Sequence, residues 1–261
     1  MLTTLRHFVE TVALYASLTL LGLICLSWAV FALPLWLVLP ERFGARCGRR
    51  AILIGLRFYV WTLCLMGAYR LDLRALRTLH GGPPAVLAPN HPSLIDAVFI
   101  IAYGPKLACV TKSSLMNNVV LGAAPRLARY IRNEPPRRMI RSAVEELEHG
   151  NSVLLFPEGT RTVQAPINPV NASVAIIARH ANVPVQTLIV EQSTAFLSKG
   201  WSLFKRPSLP IIFRVRLGRR FEPPHDVRVL TEELERHFRE ELATSVQNQW
   251  IEDRRAARSA G

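Results

Sequence analysis

The fold is decided by the stretch Pro135-Pro-Arg-Arg-Met-Ile-Arg-Ser-Ala-Val-Glu-Glu-Leu-Glu-His-Gly-Asn-Ser-Val-Leu-Leu-Phe156. Two prolines at its start and Gly150 just past the end predict a helix that opens at Pro135-Pro136 and runs to His149. The short apolar run 152–156 that follows is typical of a buried strand. A helix followed directly by a buried strand favours an α/β sheet.

Similar elements recur along the chain on both sides of this unit. Short apolar runs predict buried strands at 85–88, 107–110 and 183–190, and a helix is predicted at 172–180. Within residues 211–217, apolar side chains alternate with Arg214 and Arg216, which predicts a strand nearer an edge of the sheet. An apolar stripe predicts a C-terminal surface helix through Leu234, Phe238, Leu242, Val246 and Trp250. Together these elements predict an α/β domain over residues 71–261, with a mixed central sheet flanked by helices.

Composition narrows the class of protein. Half of the 261 residues are apolar (50%) and 20% are charged, which excludes a disordered chain. The four cysteines show no CxxC pair and no histidine at metal-ligand spacing, which argues against a zinc module and a disulfide scaffold. The 32 basic residues against 19 acidic ones give a net charge of +13 and predict an anionic partner, either nucleic acid or an acidic membrane surface.

The N-terminal region favours the membrane. Between Glu10 and Glu41 there is no charged residue, and residues 11–33 are long enough to cross a bilayer core that needs about 20 helical residues. We expect Pro34 to interrupt and bend this helix, so that residues 35–39 run along the surface. A second apolar stretch, 51–69, is predicted to be interfacial or packed on the first, with Arg57 at headgroup level.

The charges after the first apolar stretch predict its orientation. Four arginines against Glu41 indicate a cytoplasmic loop, and the chain after it is expected on the same side: Arg42, Arg46, Arg49 and Arg50. The alternative, a cleaved signal peptide, fits less well because the run is long and lacks a clear A-x-A site. We therefore predict an anchoring segment over residues 1–70 in a bacterial inner membrane.

The first chemical motif is Asn90-His91-Pro92-Ser93-Leu94-Ile95-Asp96, directly after a predicted strand. Strand ends are where an α/β sheet presents reactive side chains. If the turn brings His91 and Asp96 together, the carboxylate can hold one ring nitrogen protonated and leave the other to take a proton. By itself so short a pattern is more often a loop that carries a capping aspartate or a satisfied surface histidine.

The second motif, Phe156-Pro157-Glu158-Gly159-Thr160-Arg161, follows another predicted strand. Gly159 permits a tight turn, and the planar fork of Arg161 suits a phosphate. Taken alone, this motif could also be an ordinary turn with a solvated ion pair.

Together, in this order and behind a membrane segment, the two motifs resemble the NHxxxxD and FPEGTR blocks of the glycerolipid acyltransferases, in particular the bacterial 1-acylglycerol-3-phosphate acyltransferases. The resemblance runs from about residue 85 to 190. It implies that His91 deprotonates the acceptor hydroxyl, that Asp96 orients His91, and that the hydroxyl oxygen attacks a fatty acyl thioester. It also implies an acceptor pocket formed by Glu158, Gly159, Thr160 and Arg161, and requires neither a metal nor another cofactor.

The resemblance weakens on the acceptor side. The counterpart of the family's third block is Ala128-Arg129-Tyr130-Ile131-Arg132-Asn133, in which Ala128 stands where glycine is expected. Either Arg129 or Arg132 could bind the phosphate, and Arg132 fits the spacing better. A solvated basic face is the alternative. A proline is missing after Val183-Pro184-Val185, and Asn168-Pro-Val-Asn-Ala172 replaces a basic residue and glycine common in relatives.

Three functions remain open. The first is a membrane-bound transferase that acylates a lysophospholipid, with acyl-CoA or acyl carrier protein as donor. The second acylates another acceptor, such as a glycerol phosphate, an amino-acid lipid or a pigment lipid. The third is a non-catalytic lipid-binding protein, although a pure binder has no use for a base. The basic stretch 126–141 is expected to face anionic headgroups or an acidic carrier protein. A nucleic-acid partner would not explain the motifs or the anchor.

Overall fold

The computed structural model describes residues 2–118, 121–202 and 205–245, with side chains from Phe8 onward. Its strands are β1 (Tyr69–Asp72), β2 (Val86–Pro89), β3 (Leu107–Thr111), β4 (Ile131–Arg132), β5 (Ser152–Leu154), β6 (Val185–Gln192) and β7 (Ile211–Phe221). Its helices are α1 (Leu2–Val38), α2 (Glu41–Leu65), α3 (Arg74–Arg77), α4 (Asp96–Tyr103), α5 (Ser113–Asn117), α6 (Ala123–Leu127), α7 (Pro136–Glu148), α8 (Ser173–Ala181) and α9 (Val227–Leu242).

The described strands form one mixed sheet in the order β1-β7-β6-β2-β5-β3-β4. Strands β6, β2, β5, β3 and β4 run parallel, whereas β7 is antiparallel to β6 and carries β1 parallel to itself. The prediction of a mixed sheet flanked by helices is confirmed. Because five strands are parallel, their carboxyl ends lie along one edge, where the two sequence motifs begin.

Residues 211–217 belong to β7, which lies second from one end of the sheet, in agreement with the predicted position nearer an edge. Strand β7 is covered by β1, whose Tyr69 pairs with Ile211. Strand β1 escapes sequence analysis because it has four residues and two of them, Arg70 and Asp72, are charged. So short a segment has no usable periodicity.

Each face of the sheet packs against its own set of helices. Helices α2, α3 and α4 contribute to a core on one face, and α7, α8 and α9 contribute to a core on the other. The predicted helices 135–149 and 172–180 correspond to α7 and α8 within about one residue at each end. The C-terminal stripe is confirmed for Leu234, Phe238 and Leu242, which are buried in α9. Val246 and Trp250 lie outside the described residues.

Helix α1 does not stop at Pro34. It continues to Val38, and Leu39 N–H donates to the Leu35 carbonyl at 2.9 Å. A proline removes one helical hydrogen bond, but packing on both sides of it holds the helix here. Apolar residues of α1 on either side of Pro34 pack against α6: Trp28, Ala29, Ala32 and Leu35.

The arginines at 42–50 form the first turns of α2 rather than a loop. Gly48 allows this helix to touch the chain after α6, since a Cβ at Gly48 would lie 2.6 Å from the Ala128 nitrogen. Arg49 then donates to the Ala128 carbonyl at 2.9 Å and pairs with Glu146, with Nη2 and Oε1 2.6 Å apart. Gly48 and Arg49 together hold α2 against the sheet domain, the first by allowing close contact and the second by its hydrogen bonds.

The second apolar stretch, residues 51–69, is predicted from the sequence to be either interfacial or packed on the first. In the structure it packs against α1. Leu14 of α1 shares a core with Tyr59, Val60 and Leu63 of α2. Arg57 Nε donates to the Ala102 carbonyl at 2.8 Å, so its guanidinium caps the end of α4. By length and composition, residues 8–38 of α1 are the one described segment able to cross a bilayer.

Candidate active site

Two neighbouring strands deliver the two motifs to one place. Strand β2 pairs in parallel with β5, with Val86 opposite Val153. Since parallel strands end at the same edge, the loops that follow them meet there. His91 N–H donates to Glu158 Oε1 at 2.8 Å, and the Thr162 N–H donates to the His91 carbonyl at 2.8 Å.

The structure brings His91 and Asp96 into contact. His91 Nδ1 and Asp96 Oδ2 are 3.0 Å apart, and the same carboxylate oxygen accepts the Ser93 N–H at 2.8 Å. An ionised carboxylate can only accept, so Nδ1 carries the proton between the two groups. That tautomer leaves Nε2 of His91 with a lone pair, the arrangement of a general base and its orienting group.

Asp96 lies in the first turn of α4 and is fully buried (0% exposed). Burial raises the pKa of its carboxyl, while hydrogen bonds from His91 and Ser93 and the charge of Arg161 oppose the rise. Its second oxygen, Oδ1, is buried without a hydrogen-bond partner among the described residues. Ordinary structural carboxylates are better satisfied than this.

The His91 ring is held by an aromatic neighbour from the second motif. Phe156 stacks on it with ring centroids 3.8 Å apart and an interplanar angle of 24°. The His91 side chain keeps 14% of its surface exposed, whereas Asp96 has none. The ring therefore has a fixed plane and one accessible side.

Both carboxylate oxygens of Glu158 accept hydrogen bonds from neighbouring residues. Oε1 accepts from the His91 N–H and from the Thr162 hydroxyl, each at 2.8 Å, and Oε2 accepts from the Asn168 N–H at 3.0 Å. The residue is 8% exposed, and burial raises the pKa of its carboxyl against the effect of these donors. Glu158 thus ties the histidine loop to its own loop.

The next two residues of the second motif lie further out. Gly159 is exposed with φ at +65°, a left-handed conformation that glycine adopts without strain, and Thr160 is half-buried. The turn at Gly159 sends the chain back toward His91.

Arg161 binds a third loop that no sequence signal indicated. Its Nη1 donates to the carbonyls of Leu197 at 2.8 Å and Ser198 at 3.2 Å. The same loop accepts from the first motif, through Ser93 Oγ to the Phe196 carbonyl at 2.8 Å and Leu94 N–H to Leu197 at 3.1 Å. Within the described part of the chain, this guanidinium donates only through Nη1, which leaves Nε and Nη2 for a ligand.

The two candidate arginines of the third block have different neighbours. Arg129 has a left-handed φ of +54° and pairs with Glu41 of α2 at 2.7 Å. Arg132 is half-buried at the end of β4, where Nη1 donates to the Asn117 side chain. Strand β4 lies three places from β2, about 14 Å at ~4.8 Å per strand. Arg132 thus lies at the same edge of the sheet as His91, where the parallel strands end, but β5 and β3 separate the two residues.

Two asparagines carry structural roles that the motif spacing does not reveal. Asn90 pairs with the Val190 backbone of β6 in both directions, donating at 2.9 Å and accepting at 2.7 Å. Asn168 accepts from the backbone N–H groups of Val163 and Gln164, each at 3.0 Å. A short polar side chain in a loop is a sequence signal for such backbone bonds, but it does not identify the partner.

No metal centre lies in the part of the chain that the structure describes, since no three His, Cys, Asp or Glu side chains there are grouped to hold an ion. The predictions that no metal and no cofactor are needed stay predictions.

The chain is similar to known acyltransferases. Residues 70–191 match the family model Acyltransferase, and this range holds both motifs and strands β2 to β6. This range therefore resembles an acyltransferase domain. The predicted resemblance to the glycerolipid acyltransferases is confirmed.

Named relatives agree with this assignment. The domain is similar to a 1-acyl-sn-glycerol-3-phosphate acyltransferase of Pseudomonas aeruginosa, with 25% identity over 75% of this chain and 76% of the relative. It also resembles a chloroplastic enzyme of that name from Brassica napus, BAT2, with 27% identity over 45% of this chain and about a third (36%) of the relative. The fold is that of the 1-acyl-sn-glycerophosphate (LPA) acyltransferase PlsC from Thermotoga maritima, with a TM-score of 0.67, 18% identity, and coverage of 92% and 96% of the two chains.

Proposed function

We propose that this acyltransferase is membrane-bound and moves a fatty acyl group from an acyl thioester to the hydroxyl of a lysophospholipid, 1-acylglycerol-3-phosphate in particular. The observation that carries the proposal is the contact between His91 Nδ1 and Asp96 Oδ2, at 3.0 Å, with the carboxylate fully buried. The acceptor is proposed by similarity to the 1-acyl-sn-glycerol-3-phosphate acyltransferases named above.

The proposed reaction needs one base and no covalent enzyme intermediate. His91 Nε2 takes the proton from the acceptor hydroxyl as its oxygen bonds to the thioester carbonyl carbon. The negative charge of Asp96 stabilises the imidazolium that forms. When the tetrahedral intermediate collapses, the C–S bond breaks and the imidazolium returns its proton to the sulfur. The products are an ester and a free thiol.

Acceptor binding is assigned to the second and third blocks. We propose that Gly159, Thr160 and the free edge of Arg161 surround the acceptor, and that Arg161 and Arg132 meet its phosphate from two sides of the sheet edge. Guanidinium groups suit this task because they bind phosphate oxygens through paired N–H donors. Glu158 contributes indirectly, since its oxygens accept from the backbone and from Thr162.

A different acceptor is the second candidate, and one observation favours it. Asn168 begins the segment that departs from the pattern expected from the resemblance, and its side chain binds the backbone of its own loop. A glycerol phosphate, an amino-acid lipid or a pigment lipid would use the same His91 chemistry. The contact between His91 and Asp96 supports catalysis over pure lipid binding.

The membrane is proposed to contact the apolar faces of α1 and α2. Both helices expose large apolar side chains away from the sheet: Phe8, Val30, Phe31, Leu37 and Val38 on α1, and Phe43, Ile54, Phe58, Trp61 and Leu65 on α2. Many exposed large apolar side chains on two packed helices indicate a membrane or protein contact. The anchor over residues 1–70 would place the acceptor's chain beside the catalytic edge.

The proposed side of the membrane is the cytoplasmic one of the bacterial inner membrane, where acyl-CoA and acyl carrier protein are found. Carbonate washing should leave the protein in the membrane fraction, and a reporter fused after Gly261 should be active in the cytoplasm. Release by carbonate would contradict the embedded helices. A periplasmic reporter signal would contradict both the orientation and the donor.

The decisive experiment is acyl transfer by the purified full-length protein in phospholipid vesicles, with product masses measured. Donors are acyl-CoA and acyl carrier protein, and acceptors include 1-acylglycerol-3-phosphate and glycerol phosphate. His91→Ala should lower turnover by about 10²–10⁴-fold, the typical contribution of a general base. His225→Ala, at an exposed histidine before α9, is the control. Near-normal turnover by folded His91→Ala would reject the mechanism.

A further inference from the structure

Two polar atoms near the catalytic pair are buried without a hydrogen-bond partner. They are Oδ1 of Asp96 and the hydroxyl of Tyr69, and neither has a partner among the described residues. Asp96 is 0% exposed and Tyr69 is 4% exposed. An unsatisfied buried polar group costs about 1–3 kcal/mol, so native proteins rarely keep one without a reason.

The fold brings these two residues to the same place. Tyr69 begins β1 at the edge where the five parallel strands end, because β1 and β7 run opposite to them. Its ring meets Phe99 edge-on, with centroids 5.3 Å apart. Phe99 follows Asp96 by three residues in α4, and residues at this spacing share one helix face. The tyrosine therefore packs beside the turn that carries Asp96.

The pKa of Tyr69 is consistent with a nearby Asp96. Burial raises the pKa of Tyr69 well above its usual range, and the nearby Tyr59 and Asp96 add to the rise. The charged groups that act on Asp96 itself are His91 and Arg161, and both favour its ionised form. Tyr69 and Asp96 thus lie within electrostatic reach of each other.

The two groups have complementary hydrogen-bonding capacity. Oδ2 of Asp96 already accepts from Ser93 N–H and faces His91, so Oδ1 is the oxygen still able to accept. The Tyr69 hydroxyl has one proton to donate. We propose that Tyr69 is a positioning residue for acyl transfer, whose hydroxyl donates to Asp96 Oδ1 through one bridging water molecule. This inference rests on the proposed function of the His91–Asp96 pair.

A donor on Oδ1 has a predictable effect on the pair. Hydrogen bonding stabilises the ionised carboxylate, so the pair loses its proton at a lower pH. The active form, with Asp96 ionised and His91 neutral, then persists further into the acid range. The bond also fixes the carboxylate plane, and through it the His91 ring.

The test is the pH dependence of kcat/KM for Tyr69→Phe, which keeps the ring contact with Phe99 and removes the hydroxyl alone. We expect the acid limb to move up by about one pH unit, a tenfold change in proton affinity, with kcat lowered about 3–10-fold. Tyr103→Phe is the control, since Tyr103 is half-buried at the other end of α4 from Asp96. Its acid limb should match that of the unmodified protein.

A second substitution should shift the acid limb of the pH profile in the opposite direction. Replacing Tyr69 with 3-fluorotyrosine makes the phenol a stronger donor, so the acid limb should move down. An unchanged limb in both Tyr69 variants, with His91→Ala inactive, would overturn the role of Tyr69 and leave the proposed function intact. Activity retained by His91→Ala would instead reject the proposed function.

Discussion

The two motif loops each bury one carboxylate, and the two carboxylates are used in opposite ways. Asp96 faces the ring of His91 and leaves Oδ1 without a partner among the described residues. Glu158 is almost as buried, at 8% exposed against 0%, but both of its oxygens accept hydrogen bonds from neighbouring backbone or hydroxyl groups. Burial raises the pKa of both groups.

The difference indicates a chemical role for Asp96 and a structural role for Glu158. A buried carboxylate with an unpaired oxygen lowers the stability of the fold, and such a cost is typical of functional sites. A buried carboxylate that accepts three hydrogen bonds holds backbone in place. The same chemical group therefore has a role set by its neighbours, and substitutions at the two positions should give different patterns.

The largest expected effect is that of Asp96→Asn on turnover. The amide can still accept from Ser93 and His91 but cannot stabilise the imidazolium by charge. We expect kcat to fall by about 10²-fold or more, somewhat less than for His91→Ala. Asp226→Asn, which keeps the cap of α9, is the control. A variant with full turnover would show that Asp96 only shapes the loop.

The same substitution should raise stability at neutral pH. A carboxyl whose folded pKa is raised contributes stability that is present below its unfolded pKa, about 4, and lost as pH rises through the folded value. The asparagine side chain of the variant does not titrate. The midpoint of urea unfolding should thus be similar for the two proteins near pH 4 and higher for Asp96→Asn at pH 7. A lower midpoint at pH 7 would mean that Asp96 stabilises the fold.

Glu158→Gln should act in the reverse direction on stability. In either orientation the amide NH₂ faces a backbone N–H, that of His91 or that of Asn168, so one buried donor loses its acceptor. We expect a loss of about 1–3 kcal/mol in the free energy of unfolding. The exposed Glu148→Gln in α7 is the control. Unchanged stability with a raised acceptor KM would assign Glu158 to the substrate.

Arg161→Lys is expected to have the smallest effect of the series. Lysine keeps the charge but loses the fork, so the acceptor KM should rise several-fold while the donor KM stays constant. Arg179→Lys, on the exposed side of α8, is the control. Equal changes in both KM values would indicate that the bonds to Leu197 and Ser198 are the main role of Arg161.

Local sequence patterns predicted the parts of the fold with strong periodicity or clear end signals. The prolines at 135–136 and Gly150, with its φ of +81°, bound α7 as expected. The runs at 85–88 and 107–110 became β2 and β3 with shifts of about one residue. Strand β1 and the continuation of α1 past Pro34 were not predicted, because both depend on packing against distant elements: β7 for the strand and α6 for the helix.

The sequence by itself determined the α/β class, through the order of its locally predicted strands and helices, and the two motif loops, because each of these elements depends on residues close together in the chain. Only the tertiary structure decided that Glu158 braces the His91 loop, that Arg161 holds the 196–198 loop, and that Tyr69 packs beside the turn of Asp96. These contacts join residues 27 to 67 positions apart. Their partners are chosen by the order of strands in the sheet, which no local pattern records.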